Sequence, residues 1–184
     1  LVDNGATFLK LDLVTDINGD VTVGTKDGPL MIEVLDVIDE YINKEGRSSV
    51  GYNFEIHTDA GSEEGKSVPY YHVHADYIMM DLWVRYMGDR LMITGSDYRS
   101  LNHLNEKYPE VDLAFKVAQG TEDADKAMAR LKFTPKWISF HYTDINEDIV
   151  KKYHDKGMYV SAWGITDDES AAASEALKPD AIIR

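Results

Sequence analysis

Short apolar runs alternate along this chain with longer segments of helical period. Phe8–Val14 has the alternation of a strand, and Asn18-Gly19, a strong turn dipeptide, predicts a hairpin into Asp20–Gly24. Apolar residues then recur at Leu30, Val34, Val37, Ile38, Tyr41 and Ile42, the period of an amphipathic helix ending at Lys44. Pro29 stands at its start and Gly46 just past its end. Ser49–His57 is the next strand, followed by a polar loop over Thr58–Lys66. From there helix and strand alternate. Helices are expected at Tyr70–Tyr86, Tyr98–Lys107, Thr121–Leu131, Ile145–Lys156 and Thr166–Leu177. Strands are expected at Arg90–Gly95, Val111–Val117, Lys136–His141, Met158–Gly164 and Ala181–Ile183. Asp144 with Glu147, and Thr166 with Glu169, have the spacing of capping boxes.

This order predicts parallel strands joined by crossover helices. No Gly-rich dinucleotide or nucleoside-triphosphate loop follows any strand. The expected architecture is one α/β domain over 1–184, a (β/α)8 barrel lacking its first β/α unit, with an open doubly wound sheet as the alternative. Leu1-Val-Asp-Asn-Gly5 reads as a helix tail entering a turn, and Asp180–Arg184 stops in mid-strand, so an incomplete N-terminal side is expected.

Side chains on a strand alternate between two faces. One face is apolar or small: Leu9/Leu11/Leu13, Tyr52/Phe54/Ile56, Leu113/Phe115/Val117, Ile138/Phe140 and Val160/Ala162. The other carries Lys10 and Asp12, Glu55 and His57, Lys116, His141 and Trp163. In a barrel the second set converges inside, mostly toward the C-terminal strand ends where barrel active sites lie. Asp12 and Glu55 could hold a hard cation, Mg²⁺ or Ca²⁺, through oxygen. Lys116 and His57 suit an anionic ligand such as a phosphate ester. His57 or His141 could move protons near neutral pH. Trp163 either stacks on a ligand or plugs the barrel mouth. A set of mutually satisfied ion pairs is the competing reading.

Composition narrows the classes. Among 184 residues, 33 Asp+Glu against 19 Lys+Arg leave a net charge of −14, which argues against a nucleic-acid partner or an anionic membrane surface. The 43% hydrophobic content is enough for one sizeable core. Zero Cys excludes disulfides, thiolate metal sites and Cys nucleophiles. No apolar run is long enough for a membrane span, and no signal peptide is visible. The compartment stays open between a bacterial cytoplasm and export.

The polar strand residues also carry a family likeness. Gly5-Ala-Thr-Phe-Leu-Lys-Leu-Asp12 resembles a Gly-Ala-Asp…Glu-Leu-Asp strand, and Thr15–Val23 a Thr-x-Asp-Gly-x-x-Val hairpin. Phe54-Glu-Ile-His57 resembles Ile-Glu-Ile-Lys. Tyr159–Thr166 resembles Val-x-x-Trp-Thr-Val-Asn, and Lys178–Ile183 resembles a closing Val-Asp-Gly-Ile-Ile-Thr-Asp. Together these resemble the glycerophosphodiester phosphodiesterase family of (β/α)8 barrels, within the phosphatidylinositol phospholipase C-like group. The resemblance implies metal-assisted hydrolysis of a phosphodiester in lipid or glycerophosphodiester metabolism. It implies Asp12 and Glu55 as metal ligands and a small-molecule phosphodiester, or another anionic ligand, as partner. The departures are specific. Lys10 stands where the family has a metal-binding Glu, Gly24-Thr25 where it has a catalytic His-Asp, and His57 where it has Lys. The catalytic His of the family's first strand precedes the region matched here. His57 and His141 are then the catalytic candidates, and Lys10, Lys116 and Trp163 the substrate-binding ones. A degenerate barrel that binds a phosphorylated or sugar-like ligand without turnover, and a purely structural module, are the alternatives.

Three further readings concern single residues. His72 and His74 lie on different helix faces and are not expected to pair on a metal. His103 and His154 are expected to be exposed and structural. Met79, Met80, Trp83, Tyr86 and Met87 are expected in the core of an amphipathic helix.

Overall fold

In a computed structural model, residues 13–15, 21–23, 31–44, 46, 51–58, 70–84 and 90–184 are described. A hairpin pairs β1 (Leu13–Thr15) antiparallel to β2 (Val21–Val23), with Leu13 opposite Val23. Helix α1 (Met31–Lys44) follows. Then come β3 (Tyr52–Ile56), α2 (Tyr71–Val84), β4 (Leu91–Gly95), α3 (Tyr98–Lys107), β5 (Asp112–Lys116) and α4 (Ala124–Met128). The chain continues through β6 (Trp137–His141), α5 (Glu147–His154), β7 (Tyr159–Trp163), α6 (Asp168–Ala176) and β8 (Ala181–Ile182).

Strands β3 to β8 form one six-stranded sheet in chain order, every neighbour parallel. A doubly wound sheet reverses its order at a switch point. None of the described strands does so, and the arrangement is a half-barrel of the (β/α) type. The lone strand Phe8–Val14 falls largely outside the described residues, as do the hairpin turn at Asn18-Gly19 and most of the polar loop after His57.

The apolar strand faces lie under helices as their alternation requires. Tyr52, Phe54 and Ile56 are buried, with Asn53 and Glu55 between them less so. Helix α2 buries Ala75, Ile78, Met79 and Leu82, the i, i+3, i+4, i+7 stripe of a helix on a sheet. Met80 and Trp83 fall one position round from that stripe and are exposed by 58% and 51%. They are not core residues, because the sheet touches only one side of a helix that is apolar on several. Tyr86 and Met87 lie outside the described residues.

The caps differ from the sequence expectation in two helices. Helix α5 is capped by Asn146, whose side chain accepts the Ile149 N–H at 2.9 Å, and not by Asp144. Helix α6 carries its capping box one residue on, between Asp167 and Ser170. Helix α4 starts later than its sequence period because Asp123 caps it, accepting from the Lys126 N–H. Among the described residues no helix is long and apolar enough to cross a membrane.

Candidate functional site

The register fixes which side chains share the inner face. Glu55 pairs with Thr94, Thr94 with Ala114, Ala114 with Trp137, and Trp137 with Tyr159. One step toward the C-terminal ends, Lys116 pairs with Ser139 and Ser139 with Ser161. A further step on, His141 pairs with Trp163. The polar alternation of five strands therefore converges on one side of the sheet.

Two groups of side chains meet there. Lys116 Nζ donates to Glu55 Oε1 at 2.5 Å, and His57 Nε2 lies 3.4 Å from the same oxygen. Lys116 and Glu55 are 20% and 29% exposed, so their charges attract more strongly than a surface pair would. His57 is 59% exposed. The Lys116 ammonium also sits 4.1 Å from the centroid of the Trp163 ring, a cation–π distance. Trp163 in turn meets His141 edge-on with ring centroids 4.7 Å apart. The indole thus joins the lysine–glutamate pair to the histidine.

His141 is held from both sides. Its Nδ1 lies 2.8 Å from Thr143 Oγ1, Thr143 Oγ1 donates to Asp144 Oδ1 at 3.0 Å, and Asp144 Oδ2 accepts the Gly120 N–H at 2.6 Å. The Thr143 hydroxyl has one proton. Given to the carboxylate, the stronger acceptor, it leaves Oγ1 to accept from His141 Nδ1–H and leaves Nε2 with a free lone pair. A longer contact from Thr143 N–H to Nδ1, 3.3 Å, suits the opposite tautomer and is the weaker of the two. On the other side the imidazole packs on Gly164, whose φ is +83°. A Cβ built there would fall 2.5 Å from His141 Nε2, so the ring's place depends on glycine.

Several buried polar atoms line the same face without hydrogen-bond partners. They are the hydroxyls of Ser139 and Ser161 and the Trp163 Nε1–H. On α2, His74 is buried with neither ring nitrogen partnered. Burial, and then the nearby His57, lower its pKa, so it is held neutral. His72 on the same helix is exposed, so the two imidazoles lie on different faces. His103 and His154 pair with Asp76 and Asp180 at 2.8 and 2.7 Å; His103 is the less exposed of the two.

Five of the seven expected site residues are thus placed: Glu55, His57, Lys116, His141 and Trp163. Lys10 and Asp12 lie outside the described residues. Thr143, Asp144 and Gly164 were missed by sequence reasoning. Asp144 resembled a helix cap, and the only available signal for Gly164 was a glycine directly after the strand-end tryptophan.

The described donors do not fit a divalent cation. Among the described residues no three of His, Cys, Asp and Glu stand together as a metal cluster. Glu55 Oε1 already bonds an ammonium. A doubly charged ion about 4 Å from that ammonium would be repelled by about 8 kcal/mol at an effective dielectric near 20.

Solved structures share the fold. A phosphodiesterase from Oleispira antarctica aligns with a TM-score of 0.72 at 14% identity, over 97% of this chain and 81% of that one. A glycerophosphodiester phosphodiesterase from Parabacteroides distasonis aligns at 0.65 and 12%, over 97% and 78%. A candidate glycerophosphoryl diester phosphodiesterase from Silicibacter pomeroyi aligns at 0.67 and 17%, over 89% of this chain. This chain spans about half of that protein, 53%. No curated protein sequence matches it. The sequence profile of one family, however, runs from the second hairpin strand to the last residue, 21–184, and this chain belongs to the glycerophosphoryl diester phosphodiesterase family.

Proposed function

We propose that residues 1–184 form one barrel domain that takes a glycerophosphodiester, or a closely related phosphorylated small molecule, at the C-terminal strand ends and hydrolyses it. The observation that carries this reading is the Lys116 ammonium, set between Glu55 at 2.5 Å and the Trp163 ring at 4.1 Å on the inner face. A fixed, partly desolvated cation beside an aromatic face suits a phosphate with an organic substituent. The Oleispira antarctica phosphodiesterase, which shares the fold, is in complex with its product sn-glycerol-3-phosphate.

In this reading Lys116 meets the non-bridging phosphate oxygens, where negative charge builds during attack. Water adds to phosphorus as the bond from phosphorus to the leaving alcohol oxygen breaks. His141 Nε2 takes the proton from the water, oriented through Thr143 and Asp144. His57 gives its proton to the departing alcohol. The products are a phosphomonoester and a free alcohol, and solvent exchange resets the two imidazoles. A divalent ion at Asp12 and Glu55, Mg²⁺ or Ca²⁺, belongs to the family resemblance, and no step here runs through one.

The test is release of sn-glycerol 3-phosphate from sn-glycero-3-phosphocholine, with calorimetric binding of sn-glycerol 3-phosphate alongside. Turnover that falls by about 10²–10⁴-fold in His141→Ala, with the fold intact, is the expected result. Turnover unchanged in that variant overturns the role of His141. Binding without turnover in the parent chain selects a second reading, a barrel that binds a phosphorylated ligand without hydrolysing it. That second reading is favoured by Gly24-Thr25, which stand where the family has its second His.

A further inference from the structure

The neutralisation of Glu55 points to a property of this chain beyond its family membership. We propose that the Lys116 ammonium takes the place of a divalent cation at Glu55, so that this chain binds phosphorylated ligands without metal. The inference rests on the phosphate-binding reading above.

Three observations support it. First, Glu55 Oε1 is already neutralised, by Lys116 Nζ at 2.5 Å, with His57 Nε2 a further potential cation at 3.4 Å. A carboxylate flanked by two nitrogen bases is a poor ligand for a hard cation, which needs several free oxygens. Second, the lysine is fixed. It reaches across from β5 to β3, its partner 61 residues away in the chain, and the Trp163 ring lies 4.1 Å beneath the ammonium. An ammonium has three N–H donors. One bonds Glu55, which leaves two for the oxygens of an incoming phosphate. Third, among the described residues no three of His, Cys, Asp and Glu stand together as a metal cluster. In the sequence, Lys10 stands where the family resemblance calls for a metal-binding Glu.

The chemistry follows from charge. A divalent ion bridging a carboxylate and a phosphate supplies two positive charges and a point of attachment. A lysine hydrogen-bonded to the same carboxylate supplies one charge and needs no free ion. Its affinity for phosphate is limited by competition with Glu55. Neutralising Glu55 therefore separates two cases. If the carboxylate held the cation that binds phosphate, Glu55→Gln would abolish binding. If Lys116 itself binds phosphate, Glu55→Gln frees the ammonium and binding holds or tightens.

The experiment is calorimetric titration of the chain with sn-glycerol 3-phosphate, in EDTA and again with Mg²⁺ or Ca²⁺ in excess. The expected result is binding in EDTA that the metals change by less than about twofold. Lys116→Gln is expected to weaken it by about tenfold or more, the loss of a charge-assisted hydrogen bond. Glu55→Gln is expected to preserve or strengthen it. Circular dichroism and melting temperature confirm that both variants fold, and the comparison of EDTA with metal needs no variant. Binding that requires metal, or that Glu55→Gln abolishes, overturns the replacement of the cation while leaving the phosphate site standing. Binding in EDTA that survives unchanged in Lys116→Gln also overturns it. No binding under any condition overturns the phosphate-binding reading, and the inference with it.

Discussion

The place of His141 depends on the absence of one methyl group, and Gly164→Ala tests that dependence. Gly164 has φ +83°, and an alanine held there costs about 1 kcal/mol in backbone strain. The added Cβ would stand 2.5 Å from His141 Nε2 and 2.6 Å from its Cδ2. Ordinary contact begins at 3.4 Å, so the ring must retreat by the difference between 3.4 and 2.5 Å, about 0.9 Å. That retreat forces an off-rotamer χ angle or breaks the bond to Thr143, at about 1 kcal/mol each. The expected total is about 2–3 kcal/mol of stability, or about 5–10 °C in melting temperature for a domain of this size. A displacement near 1 Å at a proton-transfer group is also expected to lower kcat by about 10²-fold. The assay is urea denaturation of Gly164→Ala, His141→Ala and the double variant. In the His141→Ala background only the backbone strain remains, so the coupling between the two sites should be about 1–2 kcal/mol. A coupling indistinguishable from zero would refute the contact. So would a Gly164→Ala protein with full stability and full turnover.

Two further predictions concern titrating groups. His74 is buried without partners, and burial followed by the proximity of His57 lowers its pKa below 6.5. The unfolded chain therefore binds the proton more readily, and stability present above pH 6.5 declines as pH falls below that value. His74→Leu should remove this decline, seen by urea denaturation at pH 7.5 and 5; an unchanged difference between the two pH values would sink the assignment. Asp125 accepts from Lys156, which lowers its pKa most; desolvation opposes, Lys152 and Tyr153 add to the lowering, and the net value is about 2. Its stabilisation is present above its unfolded value of 3.8 and lost as pH falls through about 2. Screening at a carboxylate 40% exposed holds that contribution to about 1 kcal/mol or less. Asp125→Asn should accordingly lower stability at pH 6, by a gap that shrinks as pH falls toward 2. A constant gap across that range would count against it.

The candidate site was legible in part. Strand alternation placed Glu55, Lys116, His141 and Trp163 on one face correctly, because the two-residue period of a strand is a local property. It also separated His72 from His74. It did not reveal that Lys116 would meet Glu55, since the two strands are neighbours only through β4 and the pair is 61 residues apart in sequence. Nor did it identify Thr143 and Asp144 as the support of His141. Asp144 has the spacing of a cap, but Asn146 takes the cap, and the carboxylate turns to Thr143 and Gly120 instead.

By itself the sequence determined the alternation of strands and helices, the apolar and polar face of each strand, and the likeness to a phosphodiesterase family. All three depend on patterns within a few residues or on ordered motifs along the chain. Only the tertiary structure decided between a barrel wall and a doubly wound sheet, because crossover helices of similar length can return a strand to either side of its predecessor. It also decided that Met80 and Trp83 face solvent. Helix period shows which residues share a stripe, and the sheet selects which stripe is covered. Finally, it decided which charged side chains meet in the site. Lys116 on β5 comes to rest 2.5 Å from Glu55 on β3. No local pattern records that distance.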